Sequence, residues 1–107
     1  MSYDDGTVAC TEDELLIRRY YFLRGPKRIP YGTIKQVRRA PLDPMGWRVM
    51  IWGSSDLVHW WNLDLHRSDK PIALIIDIGG RIRPVITPAD ADRVSAELAT
   101  RGVYVTG

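Results

Sequence analysis

The 107 residues predict a mainly β domain, a barrel or sandwich of about seven short antiparallel strands closed by one C-terminal α-helix. Three observations carry this class. β-prone runs rich in Val, Ile, Tyr and Trp recur between clusters of Gly, Pro, Asp and Ser. Gly79-Gly80 stands between two such runs, as in a two-residue hairpin link where both positions can take positive φ. From Thr87 onward the apolar spacing changes from alternation to a helical repeat.

The elements follow in order. Thr7 to Cys10 and Leu15 to about Phe22 read as a hairpin around the acidic turn Thr11-Glu12-Asp13-Glu14. Arg24-Gly25-Pro26-Lys27 reverses the chain, because Pro lacks an amide donor and Gly permits unusual angles. Arg28 to Tyr31 is an edge segment, since Pro30 is tolerated only at an edge or strand end, and a strand follows from Ile34 to Arg39. Asp43-Pro44-Met45-Gly46 fits a type I turn ahead of a strand from Trp47 to Trp52. Gly53 to Asp56 turns again into an aromatic-rich strand from Leu57 to Leu63, and the polar loop Arg67 to Pro71 leads to the last pair, Ile72–Ile78 and Arg81–Ile86. A helix near residues 88 to 101 takes Thr87 as cap, Pro88 as its first residue and Asp90 in its first turn, with Ala91, Val94 and Leu98 as one apolar stripe and Gly102 as its stop. Val103 to Val105 either pairs at a sheet edge or frays.

One core must serve residues 1–107, because chains below about 40 residues rarely hold a core of their own. With 45% apolar and 26% charged residues the composition is that of a globular protein. Cys10 is the single cysteine, so neither an internal disulfide nor a cysteine-based metal site forms, and a cytoplasmic setting is expected. The N-terminus is acidic and polar, unlike a secretory signal, and the run Ile72–Ile78 falls far short of the roughly 20 residues of a membrane span.

Two stretches are more specific. Thr11-x-x-x-Leu15-x-Ile17 is followed by Lys27-x-Ile29-Pro30-Tyr31-x-x-Ile34-x-x-Val37, and Gly80-Arg81-Ile82-Arg83-Pro84-Val85-Ile86-Thr87-Pro88-Ala89-Asp90 leads into the helix. This pattern resembles that of bacterial pleckstrin-homology-like domains, in a small stand-alone form, and the two stretches bracket a core from about residue 7 to residue 101. The resemblance implies a binding module. Many members of that family carry adjoining transmembrane helices, a feature with no counterpart here.

Charge placement locates the candidate contact surface. Leu15 to Leu42 holds eight cations and no Asp or Glu, while the remainder holds seven cations against thirteen acids. Arg24, Lys27 and Arg28 flank the expected hairpin tip, Arg18 and Arg19 lie on the expected strand before it, and Arg38 and Arg39 complete the set of anion- or partner-binding candidates. The alternative is that these cations solvate sheet faces and pair with acids of residues 4–14 or of the helix. Among four Trp, adjacent Trp60 and Trp61 face opposite ways on a strand, so one is expected in the core while the other either packs as an ordinary surface residue or serves a partner or subunit contact. Both stand as interface candidates.

No nucleophile elbow, P-loop or dinucleotide fingerprint is present, and no cofactor or metal is expected; His59 and His66 have opposite strand parity, and Asp64, Asp69 and Asp77 converge only if the fold brings them together. Interleaved Arg and aromatic residues also suit single-stranded nucleic acid, but the acid-rich remainder opposes it. The expectation is a non-catalytic binding or scaffolding module that contacts a protein partner or a second copy of itself. The alternative is peripheral binding of an anionic lipid or phosphate headgroup through the basic hairpin, and a small enzyme is the third reading, with the weakest support in the sequence.

Overall fold

The computed structural model describes residues 3–42, 51–54, 56–67 and 70–107. The expected turn at Asp43-Pro44-Met45-Gly46, most of the strand expected from Trp47 to Trp52, and Asp69 lie outside the described residues. What is described is mainly β with a single helix near the C-terminus.

The first sheet is a meander in chain order, β1 (Tyr3–Asp4), β2 (Val8–Cys10), β3 (Glu14–Ile17) and β4 (Lys27–Pro30), antiparallel throughout. Side-chain acceptors shape its turns. The Asp5 carboxylate accepts the amides of Thr7 and Val8, each at 2.8 Å. Thr11 Oγ1 accepts those of Asp13 and Glu14 at 3.3 and 3.1 Å, local bonds that offer the backbone a turn in place of a ladder. β3 is shorter than expected. It ends at Ile17 because Arg19 and Phe22 take positive φ, 55° and 59°, and a 3-10 turn covers Phe22–Arg24. Arg18 and Arg19 therefore sit in a turn rather than on a strand.

The second sheet has the order β6 (His59–Trp61), β8 (Arg83–Ile86), β7 (Ile72–Asp77), β5 (Gln36–Pro41) and β9 (Val105–Thr106). β5 and β7 pair over six positions, from Gln36↔Asp77 to Pro41↔Ile72. Nine strands are thus present among the described residues, and two pairings, β5–β9 and β6–β8, are parallel. The antiparallel expectation fails there because these partners are not chain neighbours joined by a hairpin: α1 carries the chain to β9, and β7 intervenes between β6 and β8. The link at Gly79-Gly80 is likewise a wider loop, residues 78–82. Only Gly79 of the pair takes positive φ, its amide is held by Asp77 Oδ1 at 2.8 Å, and the Arg83 amide turns to Val58 O at 2.6 Å.

Helix α1 (Ala91–Thr100) starts later than expected, with Asp90 as cap: its carboxylate accepts the Arg93 amide at 3.0 Å. Thr87 does not cap, because its hydroxyl is engaged inside the protein. Gly102 (φ 85°) ends the helix, with the amides of Arg101 and Val103 returning to Leu98 O. Val94 and Leu98 pack into a core with Val8, Leu15, Ile17, Ile29, Val37, Leu74, Ile76 and Ile86. A second cluster of Ala40, Leu42, Trp61, Ala73, Ile75 and Val85 lies apart from it. Successive residues of a strand face opposite ways, so burial of Ala73 and Ile75 as well as Leu74 and Ile76 means that both faces of β7 are covered. Each such Leu or Ile contributes about 1.5–3 kcal/mol.

Candidate functional site

The chain between β3 and β4 makes a projection built around one carbonyl. Both indole N–H groups, of Trp52 and of Trp60, donate to Tyr20 O at 3.0 Å. The indoles stand nearly perpendicular at 86° with centroids 5.1 Å apart, and Phe22 meets the Trp52 ring edge-on at 5.2 Å. The loop closes on itself through Tyr21 N to Gly25 O and Arg24 N to Tyr21 O, at 3.2 and 3.1 Å. Tyr20 is buried, and burial followed by the neighbouring Tyr21 pushes its phenol well above the ordinary range. Beyond it Tyr21, Phe22 and Trp52 are exposed, and Leu23 is 80% exposed. Together with Arg24 and Trp60 these residues line an open hollow of about 550 Å³. A smaller hollow of about 300 Å³ shares Tyr21 and Trp60 and reaches Lys27, Ile78 and Pro84.

The sequence-predicted cations divide among several places. Arg24 lines the aromatic hollow, and the Lys27 ammonium stands over the Tyr20 and Tyr21 rings at 5.4 and 6.0 Å. Arg18, Arg19 and Arg28 come together at a third hollow of about 380 Å³ beside Gly25 and Pro26. Two of these three are already engaged: Arg18 holds Asp4 through both guanidinium nitrogens, one bond being 3.0 Å, and Arg28 reaches Glu14 at 2.9 Å. Arg39, on β5, binds Asp92 of α1 at 2.6 Å and Ser95 at 3.3 Å. Neighbouring Arg38 is exposed. Pairing with the N-terminal acids and the helix thus accounts for Arg18, Arg28 and Arg39. Arg19, Arg24 and Arg38 have no ion-pair partner among the described residues.

Adjacent Trp60 and Trp61 separate as strand parity requires. Trp61 is 1% exposed and belongs to the core, which removes it as an interface residue, while Trp60 is half-buried in the hollow wall. Sequence reasoning missed Trp52 and the apolar trio Tyr21-Phe22-Leu23. Two adjacent exposed aromatics beside a Gly-Pro break were the signal, and it was absorbed into the expected strand.

It also missed a buried polar cluster. Arg67, 1% exposed, places its guanidinium 5.0 Å from the Trp61 ring centroid and donates to Asn62 Oδ1 at 2.8 Å, Asn62 O at 3.0 Å and Thr87 Oγ1 at 3.2 Å. Thr87 in turn donates to Asp64 Oδ2 at 3.0 Å, which also accepts Lys70 Nζ at 2.7 Å. Burial would raise the Asp64 carboxyl, but the bonds from Lys70, the His66 amide and Thr87 win and hold it below its ordinary value. Burial pushes the Arg67 guanidinium down to about 10, with Asp64 opposing. Every one of these contacts is internal, so the cluster ties Asn62, Asp64, Arg67 and Lys70 to the end of β8.

Elsewhere His59 Nδ1 lies 2.6 Å from Asp56 Oδ2, and hydrogen bonds from the His59 amide and ring, the largest causes, hold that carboxyl far below its ordinary range. Burial, then Glu97, pushes the Cys10 thiol up to about 11, which leaves it un-ionised near neutrality. No group of three or more His, Cys, Asp or Glu among the described residues is placed to hold a metal ion. No helix among them is long and apolar enough to cross a membrane. Compared with protein-family models, curated proteins and solved structures, the chain matches none.

Proposed function

We propose that this protein is a non-catalytic docking module of pleckstrin-homology-like type, and that the projection at residues 19–27 attaches it to an anionic membrane surface. A two-sheet body with a C-terminal helix supports the first part. One observation carries the second. Exposed Tyr21, Phe22, Leu23 and Trp52 share their hollow with Arg24, Lys27 stands over the Tyr20 and Tyr21 rings beside it, and Arg19 lies at the base of the same turn in a neighbouring hollow; none of the three cations is in an ion pair among the described residues. Aromatic and aliphatic groups that tolerate the headgroup boundary, ringed by cations, match an interface that is apolar within and negative at its surface. Self-association fits less well. A two-fold contact would bring the patch against its own copy, and its described lining carries a cation and no acidic side chain to meet that cation across the interface.

Vesicle sedimentation tests the reading. The protein pellets with vesicles containing phosphatidylserine or phosphatidylglycerol at low salt and remains in the supernatant with pure phosphatidylcholine. The triple variant R19E/R24E/K27E loses at least about tenfold in binding, at about 1 kcal/mol for each cation near the surface. Equal binding to neutral vesicles, or a variant that binds as the wild type does, overturns it.

A further inference from the structure

The aromatic hollow is a better receptor for a hydrocarbon chain than for a peptide, and the reason is the fate of its polar atoms. An indole N–H facing a hollow is a donor that a peptide carbonyl can accept. Here both Trp52 and Trp60 direct that group to Tyr20 O at 3.0 Å, leaving ring carbon toward the hollow. Phe22 and Leu23 add apolar wall, and Arg24 is the single charged lining residue among the described residues. A cationic ligand is disfavoured as well, because Lys27 occupies the faces of Tyr20 and Tyr21. About 550 Å³ is within the range of small-molecule sites, which are apolar with a few polar groups that fix orientation.

We infer that this hollow takes one acyl chain of an anionic lipid, with Arg24 on the lipid phosphate. The inference rests on reading this face as the membrane contact and goes beyond it: the complex has one lipid per protein and persists without a bilayer. The chain lies against Phe22, Leu23, Trp52 and Trp60, and the guanidinium of Arg24 makes charge-assisted hydrogen bonds to the phosphate.

The test uses lauroyl lysophosphatidate held below its micelle concentration, with tryptophan emission as readout. Lauroyl lysophosphatidylcholine serves as the same chain under a neutral headgroup, and glycerol 3-phosphate as the headgroup without a chain. Saturable one-to-one binding of lysophosphatidate is expected, about tenfold weaker for the choline lipid, with glycerol 3-phosphate failing to compete. Leu23→Asp and Arg24→Glu each weaken it by at least about tenfold. Both side chains are exposed, so thermal unfolding of these variants checks that loss of binding is not loss of fold. Competition by glycerol 3-phosphate at the concentrations where lysophosphatidate binds, unchanged binding by Leu23→Asp, or no binding of lysophosphatidate overturns the inference. Vesicle sedimentation of the same proteins separates the two readings. Vesicle binding without lysophosphatidate binding removes the acyl-chain site alone, and loss of both removes the membrane reading as well.

Discussion

Arg67 and Arg24 are the same residue type put to opposite uses. Arg67 is buried, spends its donors on Asn62, Thr87 and Ile51, and lies over Trp61. Arg24 is exposed among Phe22, Leu23 and Trp52 and has no ion pair among the described residues. A cation taken from water must have its donors satisfied, and the residues that satisfy it become dependent on it. A cation left in water beside apolar side chains costs the fold little and remains available to an outside anion. The first region therefore answers to stability measurements and the second to binding measurements.

The largest effect separates them most sharply. Arg67→Ala removes the donor to Asn62 and Thr87, leaves a cavity beside Trp61 and lowers unfolding stability by about 2–5 kcal/mol, whereas Arg24→Ala changes it by no more than about 0.5 kcal/mol. Urea unfolding of the two variants decides this; equal midpoints would dissolve the contrast.

Next comes the clasp between the N-terminus and the helix. Asp5 accepts from the Tyr3 hydroxyl at 2.6 Å and the Ala89 amide at 2.7 Å, besides Thr7 and Val8. Burial would raise its carboxyl, but those bonds win and hold it at about 2. Because the folded value lies below the unfolded one, this stabilisation is complete above the ordinary carboxylate range and is lost as pH falls from about 4 toward 2. Asp5→Ala costs about 1–3 kcal/mol at neutral pH, and the difference between variant and wild type should shrink across that acid window. A difference independent of pH would show that the carboxylate charge is not what the clasp uses.

Arg19 offers a smaller effect of opposite sign. It holds φ 55° while its carbonyl accepts the Leu63 amide at 3.0 Å. Arg19→Gly relieves a left-handed conformation and raises stability by about 0.5–1 kcal/mol, yet weakens sedimentation with anionic vesicles. A variant that gains stability and loses nothing in binding would remove Arg19 from the contact surface. The smallest expected change is Leu23→Ser, within about 0.5 kcal/mol in unfolding, since this side chain has little packing to lose.

Much of the fold was legible because its causes are local. The Thr11 and Gly102 turns, the helical stripe of Val94 and Leu98, and the parity that sends Trp61 inward each depend on residues a few positions apart. The pairing of Arg18, Arg28 and Arg39 with acids of the N-terminal segment and helix was legible as one of two readings. The acid-free stretch overlaps the projection, but the expected backbone form there was wrong. A continuous strand was expected where positive φ at Arg19 and Phe22 makes a projection, and neither residue type announces that backbone.

By itself the sequence determined the mainly β class, the terminal helix and its stop, and the concentration of cations between Leu15 and Leu42. Tertiary structure alone decided the two parallel pairings, the burial of Arg67 and the aromatic hollow. The bonds that build that hollow, from Trp52 and Trp60 to Tyr20, span 32 and 40 positions. Local periodicity and turn chemistry record what neighbours along the chain prefer. They do not say which distant carbonyl will stand 3.0 Å from two indoles once the sheets have closed.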